Sequence, residues 1–268
     1  MNSIARPLVV EWMAEFYRYR ELFYFLVWRD VKIRYKQTLL GASWAILQPF
    51  SMMVVFNLLF GRVANMDSEG VPYPVFSYAA LVPWTFFQHA VPLSGNSLIS
   101  NSKLISKVYF PRAIIPASSA LSGAVDFGFA SVILIGIMLY YHVPMTAGIL
   151  LWPLFLIPLI IFTTALGMIF SSLNVKYRDI KYTIPFFVQI MMFVSPVIYP
   201  ASKMPEQYQR FLKFNPLVGI IDAFRAAVLP TRSIDWGLFG LACTVTLVLF
   251  AAAAVYFYKT EREFADII

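Results

Sequence analysis

ASKMPEQYQRFLKFNPLVGIIDAFRAAVLPTRSID, residues 201–235, separates two long apolar runs and carries five basic residues, Lys203, Arg210, Lys213, Arg225 and Arg232. Its second half, residues 217–229, is apolar enough to enter a bilayer. As a helix it rises only about 20 Å, short of the roughly 30 Å of hydrocarbon it would have to cross. Pro216 disfavours helical geometry at Asn215, so the segment is predicted to form two short helices meeting at a bend. Such a bend survives at membrane depth only where it is buried in protein or lines water. The stretch therefore reads as a re-entrant gate on the outer side of a transport pathway, with Asp222 and Arg225, three apart, placed to neutralise one another. The alternative is an amphipathic hairpin resting on the outer surface.

The rest of the chain fits a membrane setting. Hydrophobic residues make up 60% of its 268 positions and charged residues only 13%, about half the share usual in soluble domains. Apolar stretches and short connections use nearly the whole length, so residues 1–268 read as a single membrane domain with no separate soluble one. The net charge of +7 sits beside the apolar runs, which favours anionic lipid over nucleic acid. One cysteine, Cys243, and two histidines, His89 and His142, exclude a disulfide framework and a metal cluster. No cleavable signal is expected, because the first 37 residues carry both charge signs before any uninterrupted apolar run.

Six spans are predicted, at residues 44–60, 74–95, 113–141, 147–175, 183–200 and 236–258. Lys and Arg collect on one side: Arg6, Arg18, Arg20, Arg29, Lys32, Arg34 and Lys36, then Lys103, Lys107 and Arg112, then Lys176, Arg178 and Lys181, then Lys259 and Arg262. The other side takes Arg62 and the five of the opening segment. Both termini of this multi-pass membrane protein are therefore expected in the cytoplasm. The late segment dissents from that bias, and its charges call for a local explanation.

Several elements stand out on the basic side. Trp12, Phe16, Phe23 and Val27 recur at helical spacing opposite Arg29, Lys32 and Lys36, predicting an amphipathic interface helix over residues 12–36 that either anchors the chain or frames a docking surface. The loop at 97–112 places Leu104, Ile105, Val108 and Tyr109 beside Lys103 and Lys107, an apolar ridge able to plug into another protein. Asp126 falls inside the third span, where an ionised carboxylate costs about 2.5–3.5 kcal/mol; packing, pore polarity or a thin proton relay are its possible uses. Ala120, Ala124 and Gly128 form a small-residue face on that span. Lys176, Tyr177, Arg178, Asp179 and Lys181 cluster at the end of the fourth. They read either as an anchor or, through Arg178, as a contact for an anionic headgroup or diphosphate.

Five segments in order, DVKIRYKQTLLGASWAILQP (30–49), KVYFPR (107–112), NVKYRDI (174–180), SPVIYP (195–200) and NPLVGIIDAFR (215–225), give the whole chain a resemblance to the membrane subunit of type-2 ABC exporters that move O-antigen, capsule or teichoic acid. The resemblance implies an all-α homodimer of the bacterial inner (plasma) membrane with six transmembrane helices per subunit, an N-terminal interface helix, a cytoplasmic coupling helix and re-entrant periplasmic gate helices. It assigns Ser102, Lys103, Leu104, Ile105, Lys107, Val108, Tyr109 and Arg112 to ATPase coupling, and Arg178 with Asp179 to a cytoplasmic entrance. Tyr208, Phe211, Phe214, Asn215, Pro216, Asp222 and Arg225 fall to the gate. Since none of the twelve glycines opens a GxxxxGK[ST] phosphate loop, ATP and magnesium belong to a separate ATPase subunit, and the chain needs no cofactor of its own. The expected cargo is a polysaccharide on a polyprenyl diphosphate lipid, O-antigen foremost. A drug or small-lipid exporter of the same fold, a membrane glycosyltransferase or phosphatase, and a secondary transporter are the rivals. The last two lack the acid clusters and ion-coupling groups they need.

Overall fold

The computed structural model describes residues 17–36, 43–199, 206–261 and 264. Trp12 and Phe16 of the expected interface helix, residues 37–42 of its motif, Pro200, residues 201–205 at the start of the expected gate, and Arg262 lie outside the described residues. Among the described residues every regular element is helical, as the composition led one to expect.

Helix α1 (Arg20–Tyr35) has Glu21 in its first turn and Lys32 and Arg34 in its last, both favourable to the helix dipole. Leu26 and Val31 are its buried residues, while Tyr24, Phe25, Trp28 and Ile33 are exposed. α2 (Trp44–Phe56) runs on into wider π-helical turns over Asn57–Val63. α3 (Tyr73–Gly95) starts with a proline in its first turn, where the missing N–H costs nothing, and contains Pro83 and Pro92. Two single turns, α4 (Ser97–Ser100) and α5 (Ser102–Ile105), lead to α6 (Ile114–Ser122) and α7 (Ala124–Tyr140). α6 and α7 together make the third expected span. They are divided at Gly123, where an added Cβ would come within 3.2 Å of the Phe86 ring.

A 3-10 turn, Ala147–Leu151, precedes α8 (Trp152–Lys176), followed by α9 (Ile180–Val194). α10 (Glu206–Leu212) and α11 (Pro216–Val228) are the two short helices expected from Pro216, and α12 (Trp236–Glu261) ends the fold.

Among the described residues four stretches are long and apolar enough to cross a membrane: Trp44–Val63, Ile114–Tyr140, Ala147–Lys176 and Trp236–Glu261. The other two expected spans are present as helices, α3 with polar residues along one stripe and α9 with only 15 residues. α3 is the centre of the molecule. It is buried on nearly every side and packs against α2, α6, α7, α8, α9 and α11. Small residues let neighbours approach it: Ser94 lies against Gly167 of α8 and donates to the Pro116 carbonyl at 2.7 Å. The expected small-residue face on the third span is only partly used. Ala120 is buried, but Gly128 has nothing within 4 Å of where a Cβ would stand, because the close contact is made one turn earlier at Gly123.

Candidate functional site

Three places gather chemistry. At the end of the bundle away from the basic cluster, α11 is buried from Pro216 to Val228. Asn215 starts it: its side-chain oxygen accepts the Leu217 N–H at 3.1 Å, and its amide donates to Ser195 Oγ at 3.1 Å. Arg225, 1% exposed, donates to the carbonyls of Pro196 and Val197, both at 3.0 Å, and lies 3.9 Å over the Phe76 ring. Tyr73 Oη donates to the Ile198 carbonyl at 2.8 Å. Residues 195–198 are thus pinned from α3 and α11 together. A flat, weakly hydrated guanidinium suits that sandwich of ring and carbonyls better than an ammonium would.

The Asp222–Arg225 pairing expected from their spacing is replaced by a different one. Asp222 meets Arg232 at 2.9 Å, and Arg232 meets Glu69 at 3.2 Å. Arg225 turns toward the 196–197 carbonyls because Asp222 faces the loop ahead of α12. The ion pairs neutralise Arg232, while two carbonyls and a ring hold Arg225, a local account of two of the basic residues that dissent from the charge bias.

Around α11, Phe127, Trp152 and Phe155 surround Phe224 with ring centroids 5.3–5.7 Å apart, and Trp152 Nε1 donates to the Phe224 carbonyl at 3.3 Å. A Cβ on Gly219 would meet Ala242 Cβ and the Leu238 carbonyl, each at 2.7 Å, so α11 lies directly on α12. By contrast Tyr208 and Phe211 of α10, and Phe214 beyond it, are 56%, 79% and 65% exposed. The expected gate therefore divides into a locked helix and an open aromatic one.

At the basic end, α5 and the residues after it form a plug with a buried base. Ile105 and Phe110 are buried with Leu26, Leu98, Ile114, Phe257 and Phe264, whereas Val108 and Tyr109 are 51% and 90% exposed. The predicted ridge of Leu104, Ile105, Val108 and Tyr109 is split accordingly, Ile105 turning inward and the later pair outward. Lys103 and Lys107 are exposed, and Ser102 and Leu104 half-buried. Arg112 closes the segment. Its backbone N–H donates to Glu261 Oε1 at 3.0 Å and its guanidinium to the Glu261 carbonyl, tying the loop to the end of α12. Arg178 and Asp179 stand exposed between α8 and α9.

The third place was not marked by sequence reasoning, apart from Asp126. A cleft of about 520 Å³ opens near the basic end between α1, α2, α3 and α7. Arg34, Tyr35, Trp44, Gln48, His89 and Asp126 line it. Asp126 takes Arg34 on one oxygen and the Tyr35 hydroxyl on the other, and Arg34 also donates to Ser122 Oγ at 3.2 Å. Burial pushes the Arg34 guanidinium below its ordinary range, with Tyr35 and Asp30 opposing the shift. Nearby, Asp30 pairs with Arg29 at 2.7 Å and accepts from Ser119 Oγ at 2.8 Å, fastening α1 to α6. No group of three His, Cys, Asp or Glu able to hold a metal occurs among the described residues.

The profile of ABC-2 type transporters matches residues 21–229, α1 to the end of α11. The chain is 28% identical over 262 residues, 97% of its own length and 100% of the relative's, to the O-antigen export system permease protein RfbA of Myxococcus xanthus. It is 27% identical to a protein of the same name from Klebsiella pneumoniae, over 90% of this chain and 92% of that one. It is also 24% identical to the polysialic acid transport protein KpsM of Escherichia coli, over 88% and 91%.

Proposed function

We propose, from the premise that this chain belongs to the ABC-2 type transporter family, that it is the membrane-spanning permease of an exporter that carries polysaccharide on a polyprenyl diphosphate lipid out of the cytoplasm. O-antigen is the cargo named for the relatives covered most fully, and a capsular polymer is favoured next by the likeness to KpsM. The observation that carries the reading is likeness along nearly the entire chain to glycan export permeases. A plug at one end and a half-inserted buried helix at the other are the parts such a machine needs.

In this reading α3 and α9 complete six spans, both termini are cytoplasmic, and two copies enclose the pathway. Val108 and Tyr109, with Lys103 and Lys107 beside them, dock into a separate ATPase subunit that binds ATP and magnesium. The buried base around Ile105 and Phe110 passes its displacement to α1, α6 and α12, whose side chains share that core. Arg178 and Asp179 stand at the cytoplasmic entrance, where Arg178 meets the diphosphate. Tyr208, Phe211 and Phe214 offer flat faces on which a passing glycan slides, hinged at Asn215 and Pro216 on the fixed α11.

Deleting the chain from cells that make the polymer tests this. Lipid-linked glycan accumulates inside the cell and disappears from the surface, and loss of the ATPase subunit gives the same result. Undiminished surface glycan after deletion would overturn the proposal.

A further inference from the structure

We infer that the cleft between α1, α2, α3 and α7 binds a sugar ring of the cargo glycan, an inference that rests on the export reading above. Burial on α3 is the first indication. That helix is enclosed along almost its whole length, yet His89 is exposed and Pro92, Leu93 and Asn96 on the same face are half-buried. The opening is confined to the stripe that faces the cleft. At about 520 Å³ the space is within the roughly 300–1,000 Å³ typical of small-ligand sites.

Its lining selects the ligand. Trp44, 56% exposed at the mouth, offers a flat apolar face with one N–H donor. Gln48 and Asn96 supply amides that both donate and accept. Arg34 and Asp126, joined as an ion pair, set donors and acceptors side by side. An aromatic platform ringed by planar polar groups suits a pyranose, which has C–H bonds on its faces and hydroxyls on its rim.

The same groups disfavour the diphosphate. Arg34 is already neutralised by Asp126, so an anion entering here would meet a carboxylate and, among the lining residues, His89 alone as a further group able to turn cationic. A neutral ring has no such conflict. The cleft is also joined to the entrance assigned to the diphosphate. Asn174, four residues ahead of Arg178, donates to Asn96 Oδ1 at 2.9 Å. Sugar in the cleft and diphosphate at Arg178 would give one lipid-linked molecule two points of recognition, and the partly exposed Arg34–Asp126 ion pair gains a use.

The test uses the purified permease with its ATPase and two probes, inorganic pyrophosphate and the cells' own glycan released from its lipid by mild acid. Glycan is expected to quench tryptophan fluorescence saturably, and Trp44→Phe to remove most of that quench. Trp44→Ala and Gln48→Ala are expected to raise the lipid-linked glycan concentration for half-maximal ATPase stimulation about tenfold, more than they lower the maximal rate. Trp44→Phe, which keeps a flat face, recovers part of that loss, and a shared thermal midpoint shows that the variants fold. Quenching by pyrophosphate and not by glycan makes this an anion site and overturns the inference. So does glycan quenching that survives in Trp44→Phe. If deletion cells accumulate glycan but the purified complex shows no Trp44-dependent quench, the inference fails while the export reading stands. If deletion cells accumulate none, the export reading itself fails.

Discussion

Arg225 and Asp126 are both charged groups on apolar helices, but they are held differently. Arg225 rests on two carbonyls and a ring, with no acid among the described residues in direct contact. Arg225→Lys keeps the charge but loses the flat fork, and the expected destabilisation is about 2 kcal/mol, read as a lower thermal midpoint of the detergent-solubilised protein. Glu69→Gln, at the partly exposed outer end of the same network, is expected to cost under about 1 kcal/mol. Asp126 is paired with Arg34. Asp126→Asn leaves that guanidinium facing a neutral amide, and a loss of about 1.5–3 kcal/mol follows for this half-buried pair, whereas Arg34→Met with Asp126→Leu recovers most of it. Equal losses in the single and double variants would contradict that account. Asp126 looked isolated in the sequence because its partner lies 92 residues away, a distance only tertiary packing closes. Asp222 and Arg225 misled for the opposite reason: helical spacing brings two residues near each other but does not decide which neighbour each prefers.

Elements are legible in the sequence where one physical signal dominates. Pro216 fixed the bend between α10 and α11, and the apolar runs located α2, α8 and α12. Gly123 gave no comparable signal, since its break depends on an aromatic ring arriving from α3. Whether the α5 plug would face in or out at each position was likewise invisible, because Ile105 and Val108 are equally apolar and only the shared core separates them. That division makes a prediction. Tyr109→Ala is expected to leave stability within about 0.5 kcal/mol while weakening co-purification of the ATPase, whereas Ile105→Ala costs about 2–5 kcal/mol in the permease alone. The contact of α11 with α12 is equally specific. Because a Cβ on Gly219 would run into the backbone of α12, Gly219→Val is expected to destabilise by about 1–3 kcal/mol or more, seen as protease cleavage ahead of Trp236 that the parent resists.

At the scale of the whole molecule, side-specific labelling checks the arrangement. With Cys243 replaced by serine, a cysteine at Tyr109 should react with a membrane-impermeant maleimide only in inside-out vesicles. One at Phe211 should react only in right-side-out vesicles. Both reacting from one face would refute the proposed topology. The charge bias and the run lengths made the membrane class readable from sequence. The cleft was not, since its walls come from four helices, and the 30–49 motif that supplies Arg34, Tyr35, Trp44 and Gln48 does not tell which residues face them.

The ring and the two carbonyls that hold Arg225 lie earlier in the chain: Phe76 on α3, then Pro196 and Val197. A ribosome feeding the membrane from the amino terminus would therefore deliver this arginine to a berth already built. α12 follows and closes over α11 at Gly219. Biogenesis of this fold is then sequential, and a chain cut short before residue 195 would lack the carbonyls without ever presenting the charge that requires them.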